Sequence, residues 1–423
     1  MPSTHAHSHV ADPDPPPPSA EAVARRRRAV WLMLLLLVPV GLATIIGLVA
    51  LWPSDEPTRA EQVADTYLLP GTTYPDARVV SVEEYDCGDP EGGPATCARV
   101  VVEVLEGDGA GDFTQIDLQP DVVAGGVSEG DTLVLTRDPG AEGGPAYQFF
   151  DFERDTPMIA LAVGFAVVVG LVARLRGLAS LVGLAFAFFV LLQFVLPGLL
   201  QYDSPALVSL VGSAAIMFVV LYLAHGFSAR TTTALVGTLF GLTLVAVLGS
   251  LAVAAARLTG LTNEETTTLN NFDPTLDFSG LVLAGIVVAG LGVLNDVTIT
   301  QASAIWQLHE VDPSMTWREL YTRGMSVGRD HIASTVYTIV FAYSGAALPL
   351  LLLFEVYDQP WHVIVTSSAL AEEVIRTLVG AIALVLAVPV TTAAGAFFAK
   401  AADASAGTVT ERGLTGLRAR FAR

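Results

Sequence analysis

Seven apolar runs fill most of the chain beyond residue 157, covering 157–173, 177–200, 205–225, 231–256, 280–300, 333–354 and 376–398. Inside them the only acidic or basic side chains, His apart, are Asp296 and Arg376. Each run reaches or approaches the roughly 20 residues with which a helix crosses about 30 Å of hydrocarbon. A lipid interior offers backbone amides no water, so such segments must satisfy their hydrogen bonds internally, as helices do. An earlier run, AVWLMLLLLVPVGLATIIGLVALW at 29–52, is longer than the about 7–15 apolar residues of a signal-peptide core. No small-residue cleavage site follows before WPSDEP, so we read it as a first transmembrane helix. Composition agrees: the chain is 15% charged, where a soluble protein carries about 25%.

Orientation follows from the basic residues. Four arginines at 25–28 precede the first span and should stay in the cytoplasm. With eight spans both termini are cytoplasmic, and Arg174, Arg176, Arg230, Arg318, Arg323, Arg329 and Lys400 fall on that side. Only Arg154, Arg257 and Arg376 remain at outer loops and helix ends. The divisions are a disordered cytoplasmic tail at 1–28, the first span at 29–52, an outer β-rich domain at 56–155, a seven-helix bundle at 157–400 and a cytoplasmic tail at 401–423. The tail motif HAHSH alternates His5, His7 and His9, a weak metal-binding pattern to which we assign no site.

Residues 56–155 have another character. ARVVSVEEY, CARVVVEVLEG, DFTQIDLQ, DTLVLTRD and AYQFFDFE are short β-branched or aromatic runs between Gly, Pro and Asp clusters. They predict five strands in a small barrel, of OB type. Most of the acids behind the formal net charge of −20 lie here and in the outer loops. An acidic surface without an aromatic and basic stripe excludes nucleic acid as a partner. Cys87 and Cys97 flank a turn-like segment, and outside the cell a disulfide between them is the sensible reading; two free thiols or a weak metal pair are the alternatives. The fold class is therefore mixed: a polytopic α-helical membrane protein of about eight transmembrane helices with a small extracytoplasmic β-barrel-like domain.

Candidate functional residues are the polar groups inside the apolar half. GLVLAGIVVAGLGVLNDVTIT contains eleven Leu, Ile or Val residues. They favour insertion by about 3–7 kcal/mol in total, against about 2.5–3.5 kcal/mol for a central Asp. Asp296 is thus affordable, yet facing lipid it remains expensive, and a wet cavity or other helices are the better neighbours. Asp296, Thr300 and Ser303 share one helical face, continued by Gln307, with Thr298 close by. The bland reading is a helix end at the interface. Arg329, Asp330 and His331 stand at the mouth of the next span, where Asp330 can cap the helix and His331 begins a polar face with Ser334 or Thr335 and Thr338. In the last span Glu372 or Glu373 pairs with Arg376 at i, i+4 or i, i+3. That pair either anchors the helix at the interface or, if the helix starts before residue 376, lies within the membrane. Pro389 with Thr391 and Thr392 marks a kink. Small residues, including Gly237, Gly241, Gly285 and Gly290, allow close helix packing.

No Walker A loop, HExxH, GxSxG or Cys/His cluster occurs, and no nucleophile has an evident activating partner. The chain is read as no enzyme, with no cofactor and no metal site. The segments GLGVLNDVTITQASAIWQL, GRDHIASTVYTIVFAYSGAALPL and EEVIRTLVGAIALVLAVPVTT, behind an anchor and an outer β-module, resemble the YibE/F family of bacterial multi-span membrane proteins, over about residues 57–400. The resemblance implies the architecture and a transporter-like role without an established activity; it assigns no residue. The expectation is a secondary transporter or permease of a bacterial plasma membrane, acting on a small solute or ion in contact with the lipid bilayer. Asp296, Thr298 and Thr300 would line the site, Asp330 and His331 gate it or relay protons, and Glu372, Glu373 and Arg376 form an outer gate. The rival is a scaffold or accessory protein whose residues 56–155 bind an envelope protein.

Overall fold

The computed structural model describes residues 20–67, 71–88, 95–140, 146–357 and 360–402. The tails read at 1–28 and 401–423 lie outside these except for 20–28, which is helical, and 401–402. The helices begin with α1 (Ala20–Ala50), α2 (Arg59–Ala64), α3 (Pro120–Ala124), α4 (Asp155–Val190) and α5 (Leu196–Gln201). They continue with α6 (Pro205–His225), α7 (Ala229–Ala256), α8 (Glu264–Phe272), α9 (Phe278–Val311) and α10 (Trp317–Ala346). The last are α11 (Leu348–Val356), α12 (Trp361–Val365) and α13 (Ser368–Ala402). The strands are β1 (Asp76–Asp86), β2 (Thr96–Val104), β3 (Phe113–Leu118), β4 (Thr132–Asp138) and β5 (Ala146–Phe152). The chain divides into two compact units, Glu56–Leu178 and the flanking remainder.

In the smaller unit all five expected strands form, as one antiparallel sheet in the order β3-β2-β1-β4-β5. Its outer strands, β3 and β5, approach each other, so the sheet is nearly closed. The alternation in the sequence is the cause. Ala98, Val100 and Val102 of β2 point inward with Ala77 and Val79, Ile116 and Leu118, and Leu133 and Leu135, while Arg99 stays outside. A register shift between Val79 and Ser81 bends β1. Cys87 and Cys97 are disulfide-bonded, with Cα atoms 5.7 Å apart, at the end of the β1–β2 pair.

Among the described residues, six helices are long and apolar enough to cross a membrane, or seven if the α10–α11 pair, bent by 65°, counts as one span. The expected pair 157–173 and 177–200 falls inside one helical run, Asp155–Gln201. Arg174 interrupts that run with a non-helical backbone (φ 56°, ψ −136°), at the junction between the two expected segments. A Cβ placed on Gly177 would lie 2.5 Å from the Val169 carbonyl oxygen, which an unbroken helix would hold two turns away.

The larger unit is organised around α7, α9 and α13, with α6 and α10 packed beside α9. Its core runs through Leu235, Leu242, Val245, Ile286, Val287, Leu294 and Ala383. Glycine sets the spacing: a side chain on Gly241 would overlap Leu294 of the antiparallel neighbour α9. Helix starts are chemically marked. Ser228 caps α7 and Asp277 caps α9, while Thr316 and Glu319 form a reciprocal capping box at α10.

Candidate functional site

Helix α9 carries the site. Asp277 Oδ1 accepts from the Gly280 N–H at 2.9 Å and starts a helix that runs without interruption to Val311. Gly285, Ala289, Gly292, Asp296, Thr300, Ser303 and Gln307 follow one another at i+3 or i+4, and none is buried. On the opposite face Val287, Leu294 and Ile305 are fully buried. From Gly285 to Gln307 the stripe rises about 33 Å, enough to match a hydrocarbon core of about 30 Å. Three small residues open its first half, and a Cβ on Gly292 would touch nothing within 4 Å. The second half is hydroxyl, amide and carboxylate.

Helix α10 runs alongside the polar half. His331 Nε2 stands 3.4 Å from Thr300 Oγ1, and Thr300 also donates to the Asp296 carbonyl at 2.7 Å. Asp296, Thr300, Asp330, Ser334 and Thr338 are exposed, and His331 is half-buried. Thr335 and Thr338 donate to the carbonyls of His331 and Ser334, which leaves their oxygens free to accept. The capping box makes this possible: because α10 starts at Trp317 rather than near residue 333, the charged stretch through His331 belongs to the same helix as the apolar part.

Helix α13 supplies the other end. It starts at Ser368, so Glu372, Glu373 and Arg376 all lie within an apolar helix long enough to span. Arg376 Nη1 donates to Glu373 Oε1 at 2.6 Å. The guanidinium sits over Gly285 of α9, whose Cβ would be 3.7 Å from Nη2. Glu372 turns instead to the loop after α7, where Thr262 donates to its Oε2 at 3.1 Å. Gly285 precedes Thr300 by about 22 Å of helix. The structure therefore pairs Thr300 with His331 and Glu373 with Arg376, and sets the two groups at opposite ends of one stripe rather than in one cluster.

Thr298 lies elsewhere. It is buried, its hydroxyl 2.6 Å from that of Thr238 on α7. One turn on, Gln301 Nε2 donates to Thr392 Oγ1 of α13 at 2.7 Å and to the Gly324 carbonyl of α10 at 2.9 Å. Thr391 packs against Gly237. These residues form a dry polar hub that fixes four helices beside the stripe. Gln301, Thr238 and Gly324 carried no sequence signal of this kind, because their partners lie on other helices and Thr238 is already satisfied locally by the Ala234 carbonyl four residues back.

The YibE/F-like protein family model matches residues 161–401. The chain belongs to the YibE/F-like family. The match runs from within α4 into the last turn of α13, and so includes both ends of the stripe and the hub; the five strands lie outside it. No curated protein and no solved structure matches the chain.

In this YibE/F-like chain two further polar features sit at the ends of helices. At the α9–α10 turn, the Ser314 hydroxyl and N–H both donate to Asp312 and hold its carboxyl below the usual carboxylate range. At the other end an open cavity of about 750 Å³ is lined by Asp203, Arg257, Asn270 and Asp277 among others. Chemically, the stripe offers an imidazole, carboxylates and hydroxyls within reach of a proton or a small hydrated solute.

Proposed function

We propose that this YibE/F-like membrane protein is a secondary transporter or permease for a small solute or ion, in a bacterial plasma membrane. One observation carries the reading: the unburied stripe of α9, from Gly285 beside Arg376 to Gln307, with Asp296 one turn before Thr300, which faces His331. Ionisable groups on spanning helices are kept where they line something wet, because lipid does not solvate them. In this reading Asp296 and Thr300 line the pathway, Asp330 and His331 gate its cytoplasmic mouth, and Glu373 with Arg376 closes the outer end. Thr298 holds the wall in place. Eight spans, with the backbone break at Arg174 separating the second from the third, put both termini in the cytoplasm and the disulfide-bonded sheet outside.

The test is uptake into vesicles containing the purified chain, screened over protons, alkali and divalent cations, phosphate and sulfate. Uptake that Asp296→Asn abolishes supports the assignment; uptake that survives Asp296→Asn unchanged overturns it. The scaffold reading draws on the exposed aromatic side chains of the β unit, Phe113, Tyr74 and Phe150, the last two with ring centroids 4.9 Å apart. It predicts that deleting residues 56–155 removes function while Asp296→Asn does not.

A further inference from the structure

The cluster on α13 holds two acids and one base, and its geometry treats the acids unequally. Arg376 is engaged by Glu373 at 2.6 Å. Glu372 is only 8% exposed. Its Oε2 accepts from Thr262, while Oε1 is buried without a hydrogen-bond partner. A bare buried carboxylate oxygen is costly, and a proton on it removes both the excess charge and the unmet acceptor. A metal ion is a poorer occupant. Arg376 shares the face, and among the described residues no group of three or more His, Cys, Asp or Glu is placed to hold one.

Among the described residues the surroundings offer no other charge. The charges acting on Glu372 are Arg376 and Glu373 of its own helix. The loop after α7 offers the Thr262 hydroxyl and the Gly260 N–H, α10 offers Tyr343 near Arg376 and Glu373, and α9 offers Gly285.

We propose that Glu372 is a proton-binding site that couples movement along the α9 stripe to a proton gradient. The coupling rests on the transport reading above; the proton site does not. Glu373 and Glu372 precede Arg376 by three and four residues, so one guanidinium can serve either carboxylate. With Arg376 on Glu373, Glu372 carries the proton. When Arg376 moves to Glu372, the carboxyl O–H bond breaks, the proton passes to water and the carboxylate takes the guanidinium in its place. No electrons change hands, and Gly285 leaves the guanidinium room to move.

Infrared difference spectra between acid and alkaline pH, recorded on the full chain in lipid, test the site. The stretch of a protonated carboxyl is expected in the wild type, absent in Glu372→Gln, displaced in Glu372→Asp and confined to lower pH in Glu373→Gln, which leaves Arg376 free to pair with Glu372. Glu372→Asp decides the matter if Glu372→Gln fails to fold. Absence of the band, or its survival in Glu372→Gln, overturns the proton site. The same proteins in vesicles holding a pH-sensitive dye test the coupling. A Glu372 band in vesicles that carry neither protons nor any solute screened upholds the site and overturns transport. Flux lost in Glu372→Gln with the band unaltered overturns the site and leaves transport standing.

Discussion

Gly237→Ala offers a direct test of how closely α7 and α13 approach at the hub. A Cβ at this position overlaps Thr391 Oγ1 and lies 3.1 Å from Thr391 Cβ and 3.3 Å from Thr298 Cγ2. Two effects oppose each other. Alanine is favoured over glycine inside a helix by about 0.8–1.0 kcal/mol, while overpacking a filled core costs about 1–3 kcal/mol. The single substitution should therefore destabilise by about 0–2 kcal/mol. Thr391 has little freedom to yield. Its hydroxyl is bonded to the Ala387 carbonyl at 2.8 Å, and other rotamers put the larger methyl in the same space or press into the preceding turn. In a Thr391→Ala background the obstructing oxygen is gone, and most of the helix-propensity gain should return. The predicted coupling between the two sites is about 1–3 kcal/mol, beyond the scatter of about 0.3–0.5 kcal/mol seen for independent sites. Equilibrium unfolding of the four proteins by dodecyl sulfate in mixed micelles measures it. An equal penalty for Gly237→Ala in both backgrounds would refute the proposed contact.

Three further outcomes follow from other parts of the molecule. Desolvation, then the carboxylates of Glu106, Glu153 and Asp155, hold the Asp76 carboxyl above its ordinary value. A carboxyl shifted upward favours folding while protonated and loses that contribution as pH rises through its folded value. Asp76→Asn should therefore slow hydrogen exchange in β1 and β4 at neutral pH, with the gain shrinking as the medium is acidified into the carboxylate range; a gain that grows on acidification would contradict it. Thr316→Ala should cost about 1 kcal/mol through loss of the α10 capping box, and Thr316→Ser should restore most of it in the same unfolding assay. Breaking Cys87–Cys97 by Cys97→Ser should destabilise the sheet by about 2–4 kcal/mol, and unchanged exchange protection in β1 and β2 would deny the bond a structural role.

The sheet was legible in the sequence because strand alternation is local: Val100 and Val102 report their own burial, and turn clusters separate the runs. Apolar length likewise exposed the bundle. Helix starts were less visible, since hydropathy sees only the apolar part of a helix. Trp317 and Ser368 begin α10 and α13 well before the apolar runs at 333 and 376, although Thr316 and Glu319 spelled out a capping box. The α9 stripe followed from helical periodicity applied to Asp296, Thr300, Ser303 and Gln307. Its glycine half did not, because Gly285 and Gly292 have no side chain to announce a face. The hub was hidden for another reason. Thr238 and Thr298 are 60 residues apart, and Gln301, about 140° around the helix from Asp296, reads as one more polar residue until its partners on α10 and α13 are seen.

Water access along α9 is the most direct test of this account. The native cysteines are tied up in a disulfide, so single cysteines at Thr300, Ser334 and, as a control on the far side of α10's exposed arc, Ala333 report without background. Their reaction with a charged, membrane-impermeant thiol reagent in sealed vesicles should be fast at Thr300→Cys and Ser334→Cys and slow at Ala333→Cys. Equal, slow labelling at all three would mean that the stripe faces acyl chains, and no pathway would run along it.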